Sequence, residues 1–114
     1  MDLSPLETRV LKAISDARPG CSELKAQLES LTVFKREYTG CGVYTDFSLP
    51  AEAQPFDETL WKFEDMPKVH GTHPSLEAGA GFILWFKNGL VTCLEGYTYE
   101  DNWPENENLF VLSV

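Results

Sequence analysis

Basic residues are scarce in this chain: 9 Lys and Arg stand against 18 Asp and Glu, a formal net charge of −9 over 114 residues. A balance of that sign repels phosphate backbones, so it argues against direct nucleic-acid binding and favours either a basic partner or solubility alone. Long apolar runs are lacking as well. No stretch reaches the roughly 18 apolar residues of a membrane-spanning helix, and Met1-Asp2-Leu3-Ser4-Pro5 has neither the basic start nor the apolar centre of a signal peptide. Cysteine is limited to Cys21, Cys41 and Cys93, an odd number without CxxC spacing, as in proteins that keep their thiols reduced. A cytoplasmic location is expected. There is no GxSxG, P-loop, GxGxxG or zinc-finger spacing, and Gly79-Ala80-Gly81 opens a strand, so it cannot cradle a phosphate at a helix N-terminus. No cofactor is expected.

With 43% hydrophobic and 24% charged residues, the composition is that of a folded chain, and its length suits one domain over 1–114. The organising stretch is 80–99. Asn88-Gly89 lies between two apolar runs there, and Asn-Gly favours a type I′ hairpin because both central residues take positive φ. With a two-residue loop, Lys87 faces Leu90, Phe86 Val91, Trp85 Thr92, Leu84 Cys93, Ile83 Leu94 and Phe82 Glu95. Alternation then places Phe82, Leu84, Phe86, Val91, Cys93 and Glu95 on one side, with Ile83, Trp85, Lys87, Leu90, Thr92 and Leu94 on the other. Both sides are largely apolar. That pattern predicts a hairpin in mid-sheet, with helices over one face and a loop or a partner protein over the other.

Elsewhere the periods change in order. Ser4-Pro5-Leu6-Glu7 carries a capping box, and Leu6, Val10, Leu11, Ile14 and Ala17 follow at helical spacing until Pro19-Gly20. A second short helix is predicted over 22–30. Period-two alternation predicts strands at 33–38 and 43–48 around Thr39-Gly40-Cys41-Gly42, with Phe34 opposite Phe47, Lys35 opposite Asp46, and Tyr38 opposite Val43. That register puts Phe34, Arg36, Tyr38, Val43, Thr45 and Phe47 on the core side and leaves Val33, Lys35, Glu37, Tyr44, Asp46 and Ser48 wet. A third strand is expected at 59–64, an irregular loop at 65–79, and a buried terminal strand at 109–114. The expected fold class is α+β: two N-terminal helices packed on an antiparallel sheet of five or six strands with a central Asn-Gly hairpin.

Four groups of residues are candidates for chemistry. Glu95, at the end of an apolar ladder, meets solvent where the sheet ends, pairs with Arg36, or opens into a cleft as a ligand contact or general base of raised pKa. His70 and His73, with Glu77 or Asp65 in support, form the only histidine pair; Gly71 and Pro74 argue against a metal-binding helix, and surface histidines without metal are expected. The three cysteines have no histidine brought to them by any pattern and are read as structural. Glu95, Tyr97, Tyr99, Glu100, Asp101, Trp103, Glu105 and Glu107 mix interface-anchoring rings with charges that steer a basic partner. The competing reading of that patch is a solvated loop whose rings fold back on the core.

Leu94-Glu95-Gly96-Tyr97-Thr98-Tyr99 with the nearby Trp103-Pro104, together with Gly40-Cys41-Gly42-Val43-Tyr44-Thr45-Asp46-Phe47, resembles a small family of bacterial proteins of unknown function. The resemblance covers the chain from about residue 24 onward. It implies a bacterial origin and carries over no catalytic residue. In size and charge, though not in motif, the chain also looks like the immunity proteins that neutralise basic toxins. The expected function is therefore a non-enzymatic protein-binding domain, an immunity-type inhibitor being one form, which offers an acidic and aromatic surface to a basic partner. The alternative is a small-ligand or hydrolytic protein with a cleft near Glu95, His70 and His73.

Overall fold

Ser4 opens the first helix, α1 (Pro5–Ala17): its hydroxyl accepts from the Glu7 N–H while the Glu7 carboxylate accepts from the Ser4 N–H, closing the expected capping box. α2 (Ser22–Glu29) follows directly. The computed structural model describes residues 1–59, 66–99 and 101–114. Within them lie six strands: β1 (Thr32–Tyr38), β2 (Gly42–Ser48), β3 (Val69–His73), β4 (Leu76–Lys87), β5 (Leu90–Thr98) and β6 (Val111–Ser113). They form one antiparallel sheet in the order β1-β2-β5-β4-β3-β6, so the Asn-Gly hairpin occupies its centre. The fold is α+β, with the two helices on one side of the sheet.

The reversal itself falls where the sequence places it. Asn88 has φ 56° and Gly89 φ 74°, and Lys87 faces Leu90. The turn is clamped from outside the hairpin. Gly89 accepts through its carbonyl from the Phe56 N–H at 3.0 Å and from the Gln27 amide at 2.9 Å, and its N–H donates to Glu58 at 2.6 Å. A side chain at Gly89 would run into the Phe56 carbonyl. Gln27, only 1% exposed, also donates to the Gln54 carbonyl and accepts from the Val91 N–H, so a buried amide on α2 is satisfied entirely by loop and hairpin backbone.

Four sequence expectations are corrected. In β5, Thr92 is an extra residue. Phe86 faces Val91, but Trp85 faces Cys93, Leu84 faces Leu94, Ile83 faces Glu95 and Phe82 faces Gly96. The bulge exchanges the two faces beyond it, so that Leu94 enters the core and Glu95 leaves it. In β1, a similar irregularity at Phe34 pairs Val33 with Phe47: Val33 is buried and Phe34 is 70% exposed, the reverse of the simple alternation. Beyond it Lys35 faces Asp46 and Tyr38 faces Val43, as expected. The irregular loop expected at 65–79 instead contains β3 and the start of β4, because β3 is paired on both sides, by β4 and by β6, and ladder bonds override a weak local pattern. The terminal strand is shorter than expected, beginning after the 3-10 turn Glu107–Leu109 and the buried Phe110. The strand expected at 59–64 falls, but for Thr59, outside the described residues; Thr59 sits in a turn closed on Asp57.

The core between helices and sheet joins Val10, Ile14, Leu24, Phe82, Leu84, Leu94 and Phe110 with their buried neighbours. At its edge Glu7, 6% exposed, accepts from Arg36 Nη2 at 2.7 Å and Nε at 2.9 Å and from the Thr45 hydroxyl at 2.8 Å. This pair ties α1 to β1 and β2. Burial works to raise the Glu7 pKa, but the bonds from Arg36, the Ser4 N–H and Thr45 outweigh it and leave the carboxyl below its ordinary value. A folded carboxyl of lowered pKa contributes its stability in full above the unfolded value of about 4.3 and loses it as pH falls through the folded value. Urea unfolding at pH 7 should therefore show Glu7→Gln about 2 kcal/mol less stable than the parent, since Arg36 loses its partner. At pH 3 the gap should narrow; an unchanged gap would contradict the assigned ionisation.

Candidate functional site

The face of the sheet turned away from α1 and α2 carries the feature that stands out chemically. Because Thr92 shifts the register, Glu95 lies on this face between Tyr44 on β2 and Ile83 on β4, with Trp85 and Cys93 one pair further along. Glu95 Oε2 accepts from the Tyr44 hydroxyl at 3.0 Å, and Oε1 accepts from the Trp85 indole N–H at 3.1 Å. Three neighbouring strands thus converge on one carboxylate. The bond to Glu95 is the main reason the Tyr44 phenol titrates above its ordinary value, with the carboxylate's charge second. Tyr44 remains 41% and Trp85 40% exposed, large aromatic surface for a folded chain to leave in water.

A second aromatic group continues the face. Tyr97 lies across Gly81, where an added side chain would come within 2.5 Å of the phenol ring, so the glycine is what lets the ring lie flat on the sheet. Tyr97 and Tyr99 meet edge to face at 5.6 Å, and Tyr99, 52% exposed, stacks at 6.3 Å on His70 of β3. Lys35 and Glu37 form an exposed ion pair at 3.7 Å at the β1 edge of this face. Among the described residues, no cation lies within ion-pair distance of Glu95. The Glu95–Arg36 pair weighed from the sequence does not form: Arg36 is on the helix side with Glu7.

The acidic and aromatic stretch is divided by the sheet. Glu95, Tyr97 and Tyr99 belong to the face turned away from the helices, which is uncovered among the described residues. Trp103 belongs to the core side: its ring packs on Phe82 and Phe110 and fills the space over Gly96, where an added side chain would meet it at 2.7 Å. The Trp103 indole N–H donates to Glu107 at 2.7 Å, so both residues secure the C-terminal segment to the core instead of forming an exposed anchor and rim. Asp101 is half-buried and accepts through its backbone carbonyl from the Thr98 hydroxyl, Glu105 is exposed, and Glu100 falls outside the described residues.

The cleft imagined for Glu95, His70 and His73 is not assembled. His70 shares the uncovered face, but His73 points to the core side, where its ring meets Phe110 at 5.0 Å. Its Nδ1 accepts from the Ser75 N–H at 3.1 Å, which leaves Nε2–H to donate to the Asn106 carbonyl at 2.8 Å. Both ring nitrogens are thereby occupied. Among the described residues no group of three or more His, Cys, Asp and Glu is placed to hold a metal ion. No helix among them is long and apolar enough to cross a membrane.

Thiol chemistry on the uncovered face is disfavoured too. Burial, then the neighbouring Asp46, push the Cys93 pKa up to about 12, which leaves negligible thiolate at neutral pH. Tyr44 and Trp85 were legible as outward-facing residues; their meeting at Glu95 was not, because that depends on the extra residue at Thr92. The signal for it was present, since a register that buries Leu94 in place of Cys93 also brings a carboxylate out of the core. Compared with known proteins, the chain matches no family model, no curated protein and no solved structure.

A thiol-reactive disulfide reagent at pH 7.5 should modify exposed Cys41 at least about tenfold faster than Cys93. Among the three thiols, the Cys41→Ser and Cys93→Ser variants assign the phases of these two, the remaining one belonging to Cys21; equal rates for Cys41 and Cys93 would contradict the protected environment of Cys93.

Proposed function

We propose that the protein is a non-enzymatic binding domain that docks a basic partner protein on the uncovered face of its sheet. The observation that carries this reading is the Glu95 carboxylate, ringed by the exposed Tyr44 and Trp85 and lacking a cation among the described residues. Aromatic surface of this kind is where interfaces gain their energy, and a net charge of −9 steers a basic partner toward it. A second copy of the chain is a poor occupant. Face-to-face packing would bring together two chains that each carry a net charge of −9.

The finer form of this reading is an immunity-type inhibitor of a basic toxin in a bacterial cytoplasm, supported by size, acidity and the sequence resemblance. Tyr97 and Tyr99 extend the contact surface. Asp101 and Glu105 add to the attractive field without belonging to the contact itself, and Glu100 is grouped with them from the sequence alone.

The test is capture from the source cell followed by calorimetry with the purified partner. The partner should be basic, its affinity should fall as salt rises from 50 to 300 mM, and Glu95→Lys or Tyr99→Ala should weaken binding about tenfold or more while the fold persists. Glu29→Lys on α2, with the same charge change on the helix side, should have little effect. Equal losses for Glu29→Lys and Glu95→Lys would reduce the effect to net charge and overturn the reading.

A further inference from the structure

We infer that the Tyr44–Glu95–Trp85 cluster is a receptor for a single arginine side chain of the partner, an inference that rests on the binding-face reading and adds its chemistry. Each Glu95 oxygen accepts one bond from a neutral donor, Tyr44 at 3.0 Å and Trp85 at 3.1 Å. The two donors come from strands on opposite sides of β5, so they hold the carboxylate across three strands without neutralising it. An ionised carboxylate offers about four acceptor positions, so one on each oxygen remains. A guanidinium fork binds carboxylates through two parallel N–H bonds, one to each oxygen, which matches that remaining capacity.

The surroundings favour arginine over lysine. Tyr44, about two-fifths exposed, flanks the carboxylate with ring surface, on which a planar, weakly hydrated guanidinium stacks more readily than a compact, strongly hydrated ammonium. On the same face Glu37 lies opposite Tyr44 and is paired with Lys35, while Asp46, opposite Cys93, adds a second carboxylate on the side of β5 next to β2. Half-burial of Glu95 reduces solvent screening of a bound cation. Donors already fixed on both oxygens also mean that little ordering of the receptor remains when the cation arrives.

The probe is an end-blocked Gly-Arg-Gly tripeptide, titrated into the full chain while the Trp85 indole N–H resonance is followed by NMR, with Trp85→Phe used to assign it. A saturable shift in the millimolar range is expected. Gly-Lys-Gly should bind about fivefold more weakly, and Gly-citrulline-Gly, the uncharged isostere, should leave the resonance unmoved. Glu95→Gln, which keeps the shape of the side chain, should weaken the arginine peptide at least about tenfold. An unmoved Trp85 resonance, a citrulline peptide that binds as well as the arginine one, or full binding by Glu95→Gln would each overturn the inference. The peptide comparison uses the parent chain alone, so it stands whatever the variant does to folding. A partner protein that still binds this face in a Glu95- and Tyr99-dependent manner, while the arginine peptide does not, refutes the arginine receptor and leaves the binding-face reading intact.

Discussion

Thr92 has no partner of its own across the ladder, and that one unpaired residue decides what each side of the sheet is for. A strand of strict alternation would bury Cys93 and Glu95 and turn Leu94 to water. Burying a leucine side chain contributes about 2 kcal/mol relative to leaving it exposed, whereas an unpartnered carboxylate in the core costs several. The bulge obtains the first and avoids the second for the loss of a little ladder regularity. Its consequence reaches past stability: the carboxylate excluded from the core arrives beside Tyr44 and Trp85 on the opposite face.

The asymmetry of the two faces is maintained from the helix side. Glu7 and Arg36 lock α1 onto β1 and β2, Gln27 locks α2 onto the apex of the hairpin, and Arg9 donates to the Phe110 carbonyl at 2.9 Å to hold the C-terminal segment against α1. With both helices committed to one side and Trp103 filling the corner over Gly96, nothing among those elements crosses to the other. Among the described residues no helix is left to cover the opposite face, and its rings stay outward. Polar groups buried in the process are paired, which is the condition under which such a sheet can be rigid and still half-bare.

The elements most legible in the sequence were those with strong local chemistry. The Ser4–Glu7 capping box, the Pro19-Gly20 stop and the Asn88-Gly89 reversal each dictate backbone geometry within a few residues, and all three lie where the pattern put them. The fold class followed, because two helices and alternating strands leave few other ways to close a core. What could not be read locally were the irregularities at Phe34 and Thr92 and the pairing of β3. Each is set by a neighbouring strand, and a single inserted residue inverts every assignment downstream of it. Of the candidate site, Tyr97 and Tyr99 were picked out as rings near Glu95 without being placed on a face, Glu95 was assigned to the wrong face, and Trp103 was taken for an anchor because exposure cannot be inferred from an acidic neighbourhood.

The position of Glu95 opposite Ile83 is the point on which both the fold account and the binding face depend. Cross-strand proton contacts in the NMR spectrum of the full chain test it directly. Contacts between the backbones of Ile83 and Glu95 and of Leu84 and Leu94 are expected, with Thr92 facing no residue of β4. Contacts that instead join Phe82 to Glu95 and Leu84 to Cys93 would return the carboxylate to the core side and contradict the account.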